Sequence, residues 1–232
     1  GVPPLPAGTV DYPAVSLHKR RLFDRAFDRF EDTGQKHGGD FEAFCADHSG
    51  WLDDYALFIA LKNHHRGRAW NEWPRPFRDR RPSALREARR GFAREIRREK
   101  FLQFVFQRQW KALKRHVNDQ GIEVIGDVPI YVHHDSADVW QHQEYFVLRG
   151  NGKPAFVSGV PPDYFSKTGQ LWGNPLYRWD VLAESGYGWW VERLIHNLNR
   201  FDMVRIDHFR GLVAFWQVPA GARTAVRGKW VK

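Results

Sequence analysis

Hydrophobic residues recur every three or four positions through most of the first half of the chain, which is the spacing of an α-helix. This pattern predicts helices near Val15–Phe30, near Phe41–His64 and from Ser83 to Val117, with Ser83 as the cap of the third. Trp70–Pro82, rich in proline and tryptophan, is predicted to connect the second and third helices. The later half of the third helix carries an apolar stripe that we expect to face the core. The stripe consists of Leu102, Val105, Phe106, Trp110, Leu113 and Val117.

The pattern changes at Gly121, which is predicted to end the third helix. Ile122–Val132 is β-branched and mostly apolar, which indicates a strand buried on both faces, as in a parallel sheet. Because proline cannot donate a ladder hydrogen bond, Pro129 predicts that the regular strand ends near Asp127.

Turn residues and a return to strand periodicity mark the rest of the chain. A hairpin is predicted around Gly150–Gly152, and Ser158–Pro175 is expected to be a long loop. A helical stripe over Trp190–Leu198 is followed by a predicted strand at Met203–Phe209. The order strand, crossover with helix, strand predicts a βαβ unit with parallel strands. No element is predicted near Trp230, close to the last residue.

Composition excludes several classes of protein. The 232 residues are 42% hydrophobic and 15% aromatic, which excludes a disordered chain. No apolar run approaches the roughly 20 residues that span a bilayer, so no membrane helix is predicted. The single cysteine, Cys45, excludes an internal disulfide framework and a zinc-thiolate site. We expect it to be a buried, unreactive helix residue, as is common in a reducing compartment.

The formal net charge is +9. Most of the positive excess lies between Arg75 and Lys100, a segment that contains eleven basic and four acidic residues. One interpretation is a nucleic-acid footprint. The other is a solvated helix face whose arginine stems cover apolar surface. We favour the second, because no helix-turn-helix, RNA-binding or zinc-finger pattern accompanies the charge.

The segment Met203–Gly211 carries the strongest indication of chemistry. Alternate strand residues share a face, so Arg205 and Asp207 are expected side by side and partly buried. Arg205 would then keep Asp207 ionised. An ionised carboxylate at the carboxyl end of a strand suits a nucleophile in a barrel enzyme. A structural Arg–Asp pair within a barrel layer is the alternative.

Other polar and aromatic positions are expected to lie at the same end of the sheet. Asp127 follows the first strand, Asp163 and Tyr164 lie in the long loop, and Trp172 closes that loop. Aromatic rings beside carboxylates suit a sugar, because sugar rings stack while their hydroxyls form hydrogen bonds. Trp172 could equally pack the loop onto the body of the protein.

Other chemistries find little support in the sequence. The pairs His64–His65 and His133–His134 are adjacent, so their side chains diverge, and there is no His-Glu-x-x-His. Gly150–Gly152 lacks the third glycine of a dinucleotide fingerprint, and there is no Gly-x-Ser-x-Gly elbow. We therefore expect no metal site and no cofactor.

Four motifs, taken in order, resemble those of a known family. They are Gly126–Val132, Gly159–Phe165, Leu171–Asp180 and Val204–Gly211, and they resemble the 4-α-glucanotransferases, also called amylomaltases, of glycoside hydrolase family 77. The resemblance is dense over 121–232 and looser before. It implies an α/β fold that is part of a (β/α)8 TIM barrel, incomplete in this chain, with 1–120 as a mainly helical insertion and 121–232 as the partial barrel.

The resemblance also implies an activity, which is the transfer of α-1,4-glucan segments between malto-oligosaccharides by a retaining double displacement. Asp207 resembles the family's nucleophile, and Arg205 resembles the residue that keeps it ionised and oriented. Substrate-binding roles fall to Asp127, Asp163, Tyr164, Trp172 and His208.

Within that set, the resemblance gives each residue a place. His208 and Asp127 would contact the sugar in the donor site. Asp163 and Tyr164 lie in the loop that the family folds over the site, and Trp172 resembles its stacking platform. The expected partners are α-1,4-glucans and malto-oligosaccharides, with no membrane and nucleic acid disfavoured, in the cytoplasm.

The chain lacks motifs that match the family's acid/base Glu and third Asp, and also its first barrel strands. We therefore expect a fragment lacking both ends of the family's chain, inactive and marginally folded by itself. Three other functions stay open at this point. They are hydrolysis of α-glucans, glucan binding by a degenerate homologue without catalysis, and nucleic-acid binding through the arginine-rich stretch.

Overall fold

The computed structural model describes residues 8–33 and 38–232. In chain order its helices are α1 (Tyr12–Thr33), α2 (Gly38–Asp47), α3 (Ser49–His64), α4 (Arg75–Arg78), α5 (Pro82–Gly91), α6 (Ala93–Asn118), α7 (Ala137–Gln141), α8 (Trp179–Glu184) and α9 (Gly188–Leu198). Its strands are β1 (Ile125–Pro129), β2 (Phe156–Val160), β3 (Gln170–Pro175), β4 (Met203–Asp207), β5 (Phe215–Pro219) and β6 (Lys229–Val231). Single 3-10 turns lie at Trp70–Glu72, Gln143–Tyr145 and Phe209–Leu212. The chain is therefore α/β, as the sequence predicts.

The chain divides into two compact units. The helical unit consists of Gly1–Ala60 and Ala88–Gln109, and the sheet unit consists of Leu61–Glu87 and Trp110–Lys232. The core of the helical unit is an aromatic cluster with one leucine. Its buried members are Phe27, Phe41, Phe44, Leu52, Phe101 and Phe104.

The predicted helices are present, but two of them are divided. The helix predicted over Phe41–His64 is two helices, α2 and α3. The helix predicted from Ser83 begins one residue earlier, because Pro82 has a backbone angle suited to a first helical turn. It breaks after Gly91, the residue type that least favours a continuous helix, apart from proline.

The predicted apolar stripe of α6 does not all face the core. Phe106 and Leu113 are 47% and 53% exposed, whereas Phe101 and Phe104 are buried. Leu102 and Val105 of the stripe do pack against the aromatic cluster, so the prediction holds for the first part of the stripe and fails for Phe106 and Leu113. The end of α6 is as predicted, because Gly121 has a φ of +74° and the Ile122 N–H donates to the Val117 carbonyl at 3.1 Å.

The parallel βαβ unit is confirmed. Strands β1 and β4 pair in parallel, with Asp127 opposite Arg205 and Pro129 opposite Asp207. β1 continues to Pro129 and not only to Asp127, because a proline at the last strand position removes just one ladder donor. The prediction of burial on both faces is wrong, since alternate residues of β1 are exposed and Ile125 is 61% exposed.

The region predicted as a long loop contains two strands. β2 and β3 pair antiparallel, which leaves only residues 161–169 as a loop, and β5 and β6 complete a sheet of order β3-β2-β5-β6. The sequence analysis missed strands β2 and β3 because glycines in and beside them resemble loop residues. A Cβ on Gly159 of β2, or on Gly169 directly before β3, would lie 2.4 Å from a backbone carbonyl oxygen, so these glycines allow the two strands to approach closely.

The turn predicted around Gly150–Gly152 is present, with the Arg149 N–H donating to the Lys153 carbonyl at 2.8 Å. The helical stripe near Trp190 forms α9, but only its first tryptophans are buried. Val191 and Ile195 are 49% and 52% exposed.

The basic stretch from Arg75 to Lys100 is largely paired with acidic residues. In the helical unit the pairs are Arg89–Asp54, Arg94–Asp28, Arg97–Glu31, Arg97–Glu42, Arg98–Asp24 and Lys100–Asp53. Two of these arginines also lie over aromatic rings, Arg94 above Phe27 and Arg97 above Phe41. The stretch thus forms a charge-paired helix face, which agrees with the second interpretation given above. Across the described ranges, no helix is both long and apolar enough to cross a bilayer.

Candidate active site

Three charged side chains meet on one face at the carboxyl ends of β1 and β4. Arg205 donates to both carboxylate oxygens of Asp127, from Nε at 3.0 Å and from Nη2 at 2.7 Å. The same Nη2 lies 3.6 Å from Oδ1 of Asp207. Arg205 therefore bridges two carboxylates that belong to neighbouring strands.

This arrangement corrects the expected partner of Arg205. The sequence analysis paired Arg205 with Asp207 in a partly buried position, but its closest carboxylate is Asp127, and the three side chains are 51–64% exposed. The reason is strand geometry. Paired strands lie about 4.8 Å apart, whereas positions i and i+2 of one strand are about 6.6 Å apart. Their side chains share the exposed face of both strands, whereas the residues between them are buried in β1 and half-buried in β4.

The charges of the cluster support one another. The two hydrogen bonds from Arg205 hold the pKa of Asp127 below its usual range, and the Asp127 carboxylate raises the pKa of Arg205. Asp127 is thus a fixed carboxylate at neutral pH. A permanent cation stands beside Asp207.

An aromatic edge lies next to the strand ends. His208 follows β4 directly and has a left-handed backbone with a φ of +56°. Its ring stands edge-on to Trp172 of β3, with centroids 4.8 Å apart. Burial lowers the pKa of His208. Trp172 is half-buried and its indole N–H donates to the Gln170 side chain at 3.1 Å, so its ring is fixed and partly accessible.

The loop between β2 and β3 carries the other two predicted residues. Asp163 Oδ1 accepts from the backbone N–H groups of Phe165 and Ser166 at 2.9 and 2.7 Å, so its carboxylate stabilises a turn inside the loop. Tyr164 and Phe165 are 96% and 93% exposed, with ring centroids 5.6 Å apart. The structure thus joins Asp127 and Asp207 through Arg205. The contacts described for Asp163 and Tyr164 are with residues of their own loop.

Two residues that the sequence analysis did not select also belong to this region. Tyr131, two residues beyond β1, is buried and its ring centroid is 6.2 Å from that of Trp172. Phe165 is almost fully exposed and its ring contacts that of Tyr164. Both lie inside the motifs on which the resemblance rests, and an aromatic residue within such a motif is the signal that could have found them.

Metal-ligating groups do not converge in the described part of the chain. Within residues 8–33 and 38–232, no three His, Cys, Asp or Glu side chains are close enough to hold a metal ion. Cys45 is half-buried and burial raises its pKa, which favours the unreactive thiol.

Comparison with known proteins gives consistent matches over almost the whole chain. A family model described as 4-alpha-glucanotransferase matches residues 4–232. The 4-alpha-glucanotransferase of Thermus thermophilus is 50% identical over 231 residues, which cover 99% of this chain and 46% of that protein. The 4-alpha-glucanotransferase of Aquifex aeolicus is 44% identical over 227 residues, which cover 98% of this chain and 46% of that protein.

A solved structure agrees with the sequence matches. Amylomaltase from Streptococcus agalactiae in complex with acarbose is 36% identical, has a TM-score of 0.90, and is matched over 96% of this chain and 45% of that one. The chain spans a little under half the length of these relatives. Because the family match extends over nearly every residue and the fold agrees, the chain belongs to the 4-α-glucanotransferase family.

Proposed function

We propose that this chain supplies the nucleophile side of a 4-α-glucanotransferase active site. The observation that carries the proposal is the bridge from Arg205 to Asp127 and Asp207 at the carboxyl ends of two adjacent parallel strands. In barrel enzymes this is the end of the sheet that holds the catalytic groups. The substrates would be α-1,4-glucans and malto-oligosaccharides, with one glucan segment moved to the 4-hydroxyl of another.

In the proposed reaction, the Asp207 carboxylate attacks the anomeric carbon of the donor sugar. The glycosidic C–O bond breaks as an acid protonates its oxygen, and the leaving glucan departs as an alcohol. A covalent glucosyl-enzyme remains. The acceptor 4-hydroxyl then attacks the same carbon, gives up its proton to the same catalytic group, and releases Asp207 with retention of configuration. Arg205 stabilises the carboxylate before the first step and after the second.

Asp127 does not suit the role of acid in this scheme. Its two hydrogen bonds from Arg205 keep it ionised, so it has no proton to give. A retaining mechanism needs a second carboxyl group about 5–5.5 Å from the nucleophile. We place that group in a part of the full-length enzyme outside this chain, since the matched relatives are about twice as long.

The remaining predicted residues would bind the sugar. In the register, Asp127 lies opposite Arg205, two positions before Asp207, and His208 follows Asp207 directly. A donor sugar bound at Asp207 would therefore lie near both residues. Trp172 offers a partly accessible ring, and Tyr164 with Phe165 presents an exposed aromatic pair on the loop of residues 161–169. Stacking on such rings suits the apolar faces of glucose units. The solved complex of a relative with acarbose supports a ligand of this kind.

The proposal includes a fold and a location. β1 and β4 would be neighbouring strands of a (β/α)8 barrel, with residues 1–120 as a helical insertion and 121–232 as part of the barrel. The parallel pairing with helices in the crossover supports this arrangement. A cytoplasmic location is consistent with a single free cysteine.

The test is an Asp207→Asn substitution in the full-length enzyme, assayed with maltotriose for glucose and longer dextrins. Asparagine keeps the shape and removes the nucleophile, so we expect kcat to fall at least 10³-fold at an unchanged thermal midpoint. Asp180→Asn is the matched control, because Asp180 is exposed and pairs with Arg178. Turnover of the Asp207 variant near that of the control would show that Asp207 is not the nucleophile. The isolated chain should form neither product.

A further inference from the structure

The carboxyl end of β1 is held by side chains where the strand ladder ends. Pro129 lies opposite Asp207 in the register, and proline has no N–H to donate to β4. Its carbonyl instead accepts from Arg193 Nη2 at 2.7 Å. The next carbonyl, that of Ile130, accepts from the Tyr177 hydroxyl at 2.9 Å. Two side chains thus bind the backbone at the level of the proposed nucleophile.

Arg193 and Tyr177 also bind each other. Arg193 lies on α9, the helix of the crossover between β1 and β4, and its Nη1 is 3.2 Å from the Tyr177 hydroxyl oxygen. The guanidinium lies 5.1 Å from the ring centroid of Trp190 and 5.4 Å from that of Trp189. Tyr177 is only 2% exposed, and burial raises its pKa, so its hydroxyl keeps the proton that it donates. The pair is therefore fixed in position before any substrate binds.

A second line of contacts runs from the same pair to the aromatic edge. The ring of Tyr177 stacks on Tyr131, with centroids 5.9 Å apart and planes 17° apart. Tyr131 contacts Trp172, and Trp172 contacts His208, the residue after Asp207. Tyr177 therefore binds the end of β1 directly and reaches the Trp172–His208 edge through Tyr131.

We propose that Arg193 and Tyr177 are positioning residues of the transfer reaction. They fix the end of β1, which sets Asp127 opposite Arg205, and they support Tyr131 behind Trp172. Neither side chain needs to touch the sugar. This inference rests on the proposed function, since it concerns the geometry of the same site. A displacement of reacting groups by about 1 Å can lower a rate 10²-fold without weakening substrate binding equally.

The experiment uses Arg193→Met and Tyr177→Phe in the full-length enzyme. Arg193→Met keeps the aliphatic stem and removes both hydrogen bonds, and Tyr177→Phe keeps the stacked ring and removes the hydroxyl. With maltotriose as substrate, we expect kcat to fall about tenfold or more for Arg193→Met and about fivefold for Tyr177→Phe, with KM within twofold. The double variant should lose less than the product of the two effects, because the groups act together.

Two matched controls make the same chemical changes elsewhere in the sheet unit. Arg178→Met removes an arginine that pairs with exposed Asp180, and Tyr145→Phe alters a ring that stacks on His142. Both should keep kcat within twofold. Amide hydrogen exchange, followed by mass spectrometry, gives a readout that is independent of activity. Peptides covering 128–134 should exchange faster in the two test variants and not in the controls.

The outcomes separate this inference from the proposed function. If the wild-type enzyme does not form dextrins longer than maltotriose, the proposed function is wrong, whatever the variants do. An active wild type whose test variants keep kcat within twofold, or lose no more than the controls, would overturn the positioning role. So would a loss confined to KM. If Arg193→Met fails to fold, Arg193→Lys decides instead, because lysine can reach one of the two oxygen atoms and should retain part of kcat.

Discussion

Two bridging arginines invite comparison, one in each unit of the chain. In the helical unit, Arg97 of α6 contacts Glu31 at 2.9 Å and Glu42 at 2.8 Å. In the sheet unit, Arg205 contacts Asp127 at 2.7 Å and Asp207 at 3.6 Å. Each side chain binds two carboxylates, and both are substantially exposed. Ion-pair geometry alone does not distinguish them.

Their surroundings differ. Arg97 lies 4.8 Å above the ring of Phe41, a residue of the buried aromatic cluster, and its partners come from other helices. It therefore covers apolar surface and ties helices to one another. Arg205 has all its partners at one end of two strands, on a face that no core residue of β1 or β4 occupies. It assembles charges where a ligand could reach them.

The comparison shows which feature of an arginine–carboxylate pair indicates function. A pair over a core ring is explained by packing and needs no ligand. A pair at the carboxyl end of parallel strands, bordered by Trp172 and His208, covers no core residue and is explained by the proposed reaction. Substitutions at the two arginines should therefore have opposite effects on activity and stability.

Of the substitutions that test this comparison, Arg205→Met in the full-length enzyme should have the largest effect. Loss of the cation beside Asp207 removes a preorganised electrostatic partner, and losses of this kind lower kcat about 10²–10³-fold, or about 3–4 kcal/mol. The thermal midpoint should stay within about 2 °C, because the side chain is 64% exposed. Transfer from maltotriose and differential scanning fluorimetry measure the two quantities.

Arg205→Lys sharpens this prediction. Lysine keeps the charge but cannot form the two-pronged contact with Asp127, so it should recover only part of kcat. If Arg205→Met lowered the thermal midpoint strongly and left kcat intact, Arg205 would belong with Arg97, and the distinction between the two would be wrong.

Arg97→Met should show the reverse behaviour, with a smaller effect. It removes two exposed ion pairs and a contact with the Phe41 ring, which together contribute about 1 kcal/mol to the free energy of unfolding. We expect a lower denaturation midpoint and an unchanged kcat. Arg90→Met, at an exposed position of α5, is the matched control and should leave both values unchanged. A tenfold loss of kcat in Arg97→Met would link the helical unit to catalysis.

The fold was predictable where periodicity is strong and hidden where it is weak. The long helices, the Gly121 helix end and the parallel pairing of β1 with β4 follow from spacing and glycine position. Strands β2 and β3 were missed, because the glycines that permit their close approach read as loop residues when no partner strand is known. Burial on both faces of β1 was wrongly predicted, since apolar composition does not reveal which side is packed.

The site was predictable in its residues and not in its contacts. Four motifs in order pointed to Asp207, Arg205 and Asp127, yet only the register shows that Arg205 binds Asp127 more closely than Asp207. Likewise, no spacing rule indicates that Arg193, 64 residues after Pro129, donates to that proline's carbonyl. Contacts across strands and between a helix and a strand end depend on tertiary structure.

The opposite end of β4 extends the comparison to Asp202, a carboxylate to which we assign a structural role. Asp202 stands just before the strand, where it pairs with Lys114 at 2.8 Å and accepts from Asn118 and from the Val124 N–H, both at 2.8 Å. These partners, Lys114 first, lower the pKa of Asp202 to about 2. The amino end of a parallel strand is where conserved contacts serve stability.

Because the folded-state pKa of Asp202 lies below the value of about 3.9 for an unfolded chain, its contribution to stability is complete above about pH 4 and is lost as pH falls towards 2. Asp202→Asn should therefore lower the thermal midpoint at pH 7, and the gap to wild type should close between pH 4 and pH 2, with kcat unchanged. Glu123→Gln, a neighbouring exposed carboxylate, is the control. A gap of constant size across that range would mean that the Asp202 charge adds nothing to its hydrogen bonds, and a loss of kcat would contradict the separation of stability and catalysis between the two ends of β4.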